Sequence, residues 1–151
     1  IYLQAGLWSH FVSLTTPTIT ELLPILSDIQ IGADALELRV DLLENHSPEN
    51  IHEQISLLRE HSKLPIVFTV RTDGQIGKFP STNPEAIFDL LREGLRAGAE
   101  WVDVEACWSD DLTVSFCIEA EEKYGATSKL LGSLHITTPQ PLSTLHDMFN
   151  R

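Results

Sequence analysis

The sequence predicts an α/β fold of about five successive βα units, which together form part of a (β/α)8 barrel of the TIM type. Three observations predict it. Short β-rich runs alternate five times with helical stripes, at the spacing of βα units. The third run, Pro65-Ile-Val-Phe-Thr-Val-Arg71, is nearly all apolar, as a strand of a parallel sheet covered on both faces should be. The other runs carry polar residues at alternate positions near their C-terminal ends, so a row of charges must point into a confined space. An open doubly wound sheet also takes repeated βα units, but it gathers binding residues in loops at the strand ends. Polar residues within the strands, and no Gly-x-Gly-x-x-Gly after the first one, favour the barrel.

Each element has its own signal. The first strand is His10–Thr16, closed by Pro17. Thr18 can cap a helix from Ile19 to about Ile31, with Leu22, Leu23, Ile25, Leu26 and Ile29 as its stripe. Pro24 inside that stripe predicts a late start or a kink. Gly32 ends the helix. The second strand, Ala35–Asp41, puts Glu37, Arg39 and Asp41 on one face and Leu36, Leu38 and Val40 on the other. Ser47 and Pro48 open the second helix, which buries Ile51, Ile55 and Leu58 and runs to about His61.

After the third strand comes Thr72–Pro80, a loop rich in turn residues and a place where function collects. Asn83 and Pro84 open the third helix, with Ile87, Leu90, Leu91 and Leu95 buried and Gly98 at its end. Trp101–Glu105 is the fourth strand, with Asp103 and Glu105 on one face and Trp101 in the same row. Ser109 opens the fourth helix, whose stripe is Val114, Cys117, Ile118 and Ala120 and whose end is Gly125. Lys129–His135 is the fifth strand, with Ser133 and His135 two apart. Pro139-Gln-Pro141 leads into a helix from Leu142 to Phe149.

Composition excludes several functions. The balance of 10 Lys+Arg against 22 Asp+Glu gives a net charge of −12, with no basic cluster. Direct binding to nucleic acid or to an anionic membrane surface is therefore not expected. No apolar run is long enough to span a membrane. Cys107 and Cys117 lack the partners of a metal frame and are expected as packed thiols, which suits an intracellular protein of the cytoplasm or nucleus. His46, His52, His61 and His146 are expected in solvent, and so is Asp73 in its loop. Residues 1–151 read as one domain. Without an initiator Met, and without the basic n-region of a signal peptide at Ile1–Trp8, the chain is expected to be a piece of a longer multidomain protein. A part-barrel has two open edges and an open inner face, which predicts self-association, or cover from Ile1–Trp8 or the C-terminal helix.

The inward polar row carries a resemblance. Glu37-Leu-Arg-Val-Asp41, Phe68-Thr-Val-Arg-Thr72, Val102-Asp-Val-Glu105 and Gly132-Ser-Leu-His135 resemble the type I 3-dehydroquinate dehydratase family. The loop Gln75–Pro80 is similar to its fungal branch. That branch holds the dehydratase domain of the pentafunctional shikimate-pathway polypeptide and the dehydratase-like domain of the quinate-pathway transcription repressor. The resemblance implies that Ser13, Glu37, Arg39 and Arg71 bind substrate and that His135 is at the general acid/base position. The family's chemistry is a lysine Schiff base with the substrate ketone, and it implies no metal and no other cofactor.

Three departures qualify what the resemblance implies. The family's lysine lies on the strand after the histidine strand, and Arg151 comes before that point; Lys63, Lys78 and Lys129 are not placed to replace it. Ile136 follows His135 where an acid is usual, and Ile76 stands where a glycine is usual. The expectation is thus a catalytically inactive domain of the repressor, with His135 vestigial. Its ligand would be a quinate- or shikimate-pathway small molecule, and its partner a transcription activator. The alternative is a truncated dehydratase domain converting 3-dehydroquinate to 3-dehydroshikimate.

Overall fold

Residues 9–144 are described by the computed structural model, and five parallel strands run through them in sequence order. The strands are β1 (Phe11–Leu14), β2 (Ala35–Arg39), β3 (Ile66–Thr69), β4 (Trp101–Glu105) and β5 (Lys129–Ser133). The helices between them are α1 (Leu26–Ile29), α2 (Pro48–His61), α3 (Pro84–Arg96) and α4 (Asp110–Tyr124). This is the α/β architecture of part of a (β/α)8 barrel, with β1 and β5 at its edges.

The helices start where side chains take up free backbone donors. Asn50 N–H donates to Ser47 Oγ at 3.3 Å and Ala86 N–H to Asn83 Oδ1 at 3.2 Å, each just before a proline in the first turn. Leu36, Leu38, Ile66, Phe68, Val102 and Val104 face outward from the sheet into the core. Ile51, Ile55, Leu58, Ile87, Leu91 and Leu95 meet them from α2 and α3. Gly94 lets α3 lie close on β3, since a Cβ there would sit 2.5 Å from the Phe68 ring. Below the sheet Arg59 donates to Glu100 Oε2 at 2.6 Å, and the same oxygen accepts Ile66 N–H at 2.8 Å. That contact fixes where β3 begins beside β4.

Several expectations need correction. The helix expected from Ile19 to Ile31 is shorter: Ile19–Glu21 is a 3-10 turn and α1 is only four residues, with the late start that Pro24 predicts. Strand β2 ends at Arg39, because Val40–Leu42 folds into a 3-10 turn. Strand β3 ends at Thr69 and β5 at Ser133, so Arg71 and His135 lie beyond the strands. Helix α4 is rotated from its expected stripe. Phe116 and Ala120 are buried, because the Phe116 ring packs edge-on against Phe88, while Val114 and Ile118 are each 54% exposed. Cys107 is exposed and Cys117 only partly buried. His46 is half-buried rather than fully in solvent: it packs edge-on against Phe79, and its Nε2 is buried with no partner among the described residues. The expected final helix is described only at Leu142–Thr144, which is helical. Ile1–Trp8, His146 and the rest of that helix lie outside the described residues.

Candidate functional site

Alternation within parallel strands places the polar row on the inner face. Register pairs Ser13 with Glu37 and Arg39 with Thr69, and Thr69 in turn with Asp103; Glu105 pairs with Ser133. Glu37 is buried, with one carboxylate oxygen bonded by the Ser13 hydroxyl and the other by Thr69 Oγ1 at 2.8 Å. Two hydroxyl donors orient this carboxylate and leave it acceptor capacity for a ligand hydroxyl.

Arg39 and Asp41 form a bidentate pair, with Nε and Nη2 each 2.8 Å from a carboxylate oxygen. The 3-10 turn after β2 brings Asp41 back onto Arg39 in place of the expected strand continuation. That hydrogen bond, more than the burial opposing it, holds the Arg39 pKa above its ordinary value. Asp41 Oδ2 also accepts Lys78 N–H at 3.1 Å.

Arg71 is the hub of the opposite half. It is 6% exposed and bonded to Asp103, to Ser133 Oγ at 2.8 Å and to Glu105 Oε1 at 3.4 Å. Glu105 is itself gripped by Thr72, whose N–H and hydroxyl reach its two oxygens at 2.9 and 2.7 Å. Asp103 is 3% exposed and its Oδ1 has no partner among the described residues. Desolvation pushes its carboxyl pKa up, against the lowering effects of Ser133 and Arg71.

His135 is held by its backbone. Its N–H donates to Oε1 of buried Gln75 at 2.7 Å, while the residue as a whole is exposed. Gln75 comes from the 3-10 turn Asp73–Gln75 after β3. Ile76 follows in the left-handed region, at φ 67° and ψ 25°. The β-branched residue thus adopts the conformation that favours glycine, so the backbone turn is kept. Cys107 Sγ lies 3.9 Å from Glu105 Oε2, and desolvation, then the Glu105 charge, raise its thiol pKa; it is no activated nucleophile. Asp73 Oδ1 accepts Ser81 N–H at 3.0 Å, and these contacts with Ser81 lower its pKa.

Ser13 and Glu37 therefore stand together on the inner face, and Arg71 belongs to a second cluster with Asp103, Glu105 and Ser133. Arg39 pairs with Asp41 at the end of β2, and His135 lies beyond the end of β5. Thr69 belongs to the inward polar row read from the sequence, two places before Arg71, but sequence reasoning gave no site role to it, to Thr72 or to Gln75. Thr72 reaches the neighbouring strand β4 and Gln75 the chain beyond β5, contacts 33 and 60 residues apart in sequence that no local pattern encodes. Four carboxylates (Glu37, Asp41, Asp103, Glu105) face two guanidinium groups, and both guanidinium groups are already engaged. The arrangement can accept hydrogen bonds from hydroxyls at Glu37 and present a fixed cation at Arg71.

The family described as type I 3-dehydroquinase matches residues 10–151. The chain belongs to the type I 3-dehydroquinase family. It is similar to the dehydroquinate dehydratase and shikimate dehydrogenase from S. pombe AroM, at 33% identity and a TM-score of 0.80. That match covers 93% of this chain and 28% of the other. The fold is also that of the 3-dehydroquinate dehydratases from Enterococcus faecalis (22% identity, TM-score 0.75) and Geobacillus kaustophilus HTA426 (21%, 0.81). Those matches cover 92% and 95% of this chain, but only 59% and 57% of the others. Within this family member, Lys63 and Lys78 lie outside the strands, and Lys129 Nζ donates to Gly125 O at 2.8 Å near the lower end of β5. Among the described residues no helix is long and apolar enough to cross a membrane.

Proposed function

We propose that this chain carries the substrate-binding half of a type I dehydroquinase site and, by itself, binds a hydroxylated ring without turning it over. The observation that carries this reading is Glu37, fixed between Ser13 and Thr69, on the same face of the sheet as an Arg71 that three side chains orient. Dehydration by the family's route needs an amine to form an imine, which acidifies the carbon next to the ketone. His135 as a general base contributes about 10²–10⁴-fold and does not replace that covalent activation. Among the described residues, Lys63 precedes β3, Lys123 is on α4, Lys129 opens β5 at its lower end and Lys78 is exposed in the loop after β3, so none stands on the upper part of a strand. In this reading His135 is vestigial in the isolated chain, and Ser13, Glu37, Arg39 and Arg71 keep their ligand-binding roles.

Ile136 after His135, together with Ile76 in the loop, favours a regulatory relative over a working enzyme. In that form the chain is the dehydratase-like domain of a quinate-utilisation repressor, sensing a pathway metabolite or contacting an activator protein. The dehydratase domain of the shikimate pathway is the second reading, supported by the 33% identity to the S. pombe protein. Incubation with 3-dehydroquinate and borohydride, followed by mass spectrometry, tests whether the chain binds without turnover. No turnover and no adduct are expected, with weak ligand-induced NMR shifts at Glu37 and Arg71. Turnover, or a borohydride-stable adduct, overturns the regulatory reading.

A further inference from the structure

The loop between β3 and α3 ties together the ends of four strands. Its base is laced by its own backbone: Phe79 N–H donates to Arg71 O at 3.1 Å and Asp73 N–H to Phe79 O at 2.8 Å. The N–H groups of Gln75 and Gly77 both donate to Thr72 O, at 2.9 and 2.7 Å. From that base the loop reaches the end of β2 through Lys78 and Asp41, and β4 through Thr72 and Glu105. It reaches the chain beyond β5 through Gln75 and the His135 amide.

Ile76 sits at the centre of the turn. Among the described residues it is the one non-glycine with positive φ. Its side chain is 64% exposed, so packing does not hold it there. Its neighbours do. Gly77 presses so closely on the Arg71 carbonyl that a Cβ would collide with it, which fixes the chain after the turn. Gln75 is buried and fixes the chain before the turn, through His135. A β-branched residue in the left-handed region is costly, so the bonds on either side hold the turn against its own preference.

We infer that the Gln75–His135 contact is a latch and Ile76 the strained hinge behind it. When Gln75 Oε1 releases the His135 amide, Ile76 returns to negative φ and the loop lifts away from the end of β5. Leu134, His135 and Ile136 are all exposed and lie past the last ladder pair, so the latch is what locates them. Gln75 is thereby the positioning residue for His135. The latch is a property of the loop whatever the inner face binds, so its failure and that of the functional reading are separate results.

Amide hydrogen exchange followed by NMR on this chain tests the latch, with the amides of Leu38 and Phe68 as the core reference. Glycine relieves the left-handed strain but gains freedom when the latch opens. Ile76→Gly should therefore slow exchange at His135 about fivefold while the core amides stay unchanged. Gln75→Ala should bring the His135 amide to the rate of an unprotected amide, and Gln75→Glu, which keeps an acceptor oxygen, should retain protection. The inference is overturned if Ile76→Gly leaves His135 exchange unchanged or faster. It is also overturned if His135 stays protected in Gln75→Ala, or if His135 and the core amides change in step. Should Gln75→Ala fail to fold, Ile76→Gly decides alone.

Discussion

Replacing Arg71 by Met removes the single cation that two buried carboxylates share. Breaking a buried ion pair by deleting one partner costs about 3–5 kcal/mol. The two carboxylates are not equally exposed to the loss. Glu105 keeps both oxygens bonded by Thr72, so most of the cost falls on Asp103, which already has one oxygen without a partner. That places Arg71→Met near the lower end, about 3 kcal/mol. For a domain of this size the melting temperature should fall by roughly 10 °C, at about 2–4 °C per kcal/mol.

The pH dependence follows from Asp103. Desolvation already holds its folded pKa above the ordinary value, and Arg71 opposes that shift, so the variant raises it further. An acid whose folded pKa exceeds its unfolded one binds more protons when folded. The stability this contributes is full below the unfolded pKa and is lost as pH rises through the folded one. The deficit of the variant relative to wild type should therefore be largest at neutral pH and shrink as pH falls toward about 4. Urea unfolding at pH 7.5 and 5, with the slope m unchanged, measures it. Adding Asp103→Asn should recover part of the loss. A deficit below about 1 kcal/mol at pH 7.5, or one that grows on acidification, refutes the argument.

Two other predictions concern packing and assembly. Gly94→Ala should destabilise the protein by about 1–3 kcal/mol through overpacking on Phe68, although alanine is the better helix former; a stabilised variant in thermal melts would show that α3 can back away from β3. Strands β1 and β5 present open edges, and Phe11 on β1 is 51% exposed. Self-association is expected, and light scattering that gives a monomer, with the edge amides of β1 and β5 exchanging freely, would refute it.

Much of the fold was legible because local and global signals agreed. Ser47-Pro48 and Asn83-Pro84 marked helix starts that need only one turn of chain to take effect, and both hold. Trp101–Glu105 alternates, and it is a strand with those bounds. Legibility failed where a distant contact overrode a local pattern. The alternation of Glu37, Arg39 and Asp41 reads as one strand, yet the pull of the Arg39 fork on Asp41 folds the chain into a turn. In α4 two apolar stripes competed, and the Phe88 ring on another helix chose Phe116 over Val114 and Ile118. The inward row was readable as residue types, but its wiring was not. Nothing near Thr72 or Gln75 in sequence says that one clamps Glu105 and the other holds the His135 amide.

The sheet order has a consequence for how the chain is made. Among the described residues, each strand after β1 lies beside the strand that came one βα unit earlier in the sequence. Each of these parallel pairings closes over one βα crossover, a longer loop than a hairpin needs. A ribosome releasing this chain delivers β1 and β2 first, and each later strand finds its template already in place. Glu37 can meet Ser13 before Arg71 exists, and Arg71 must stand unpaired until β4 and then β5 emerge. The Ser13–Glu37 side of the inner face is thus assembled early in synthesis, and the carboxylates that neutralise buried Arg71 arrive after it.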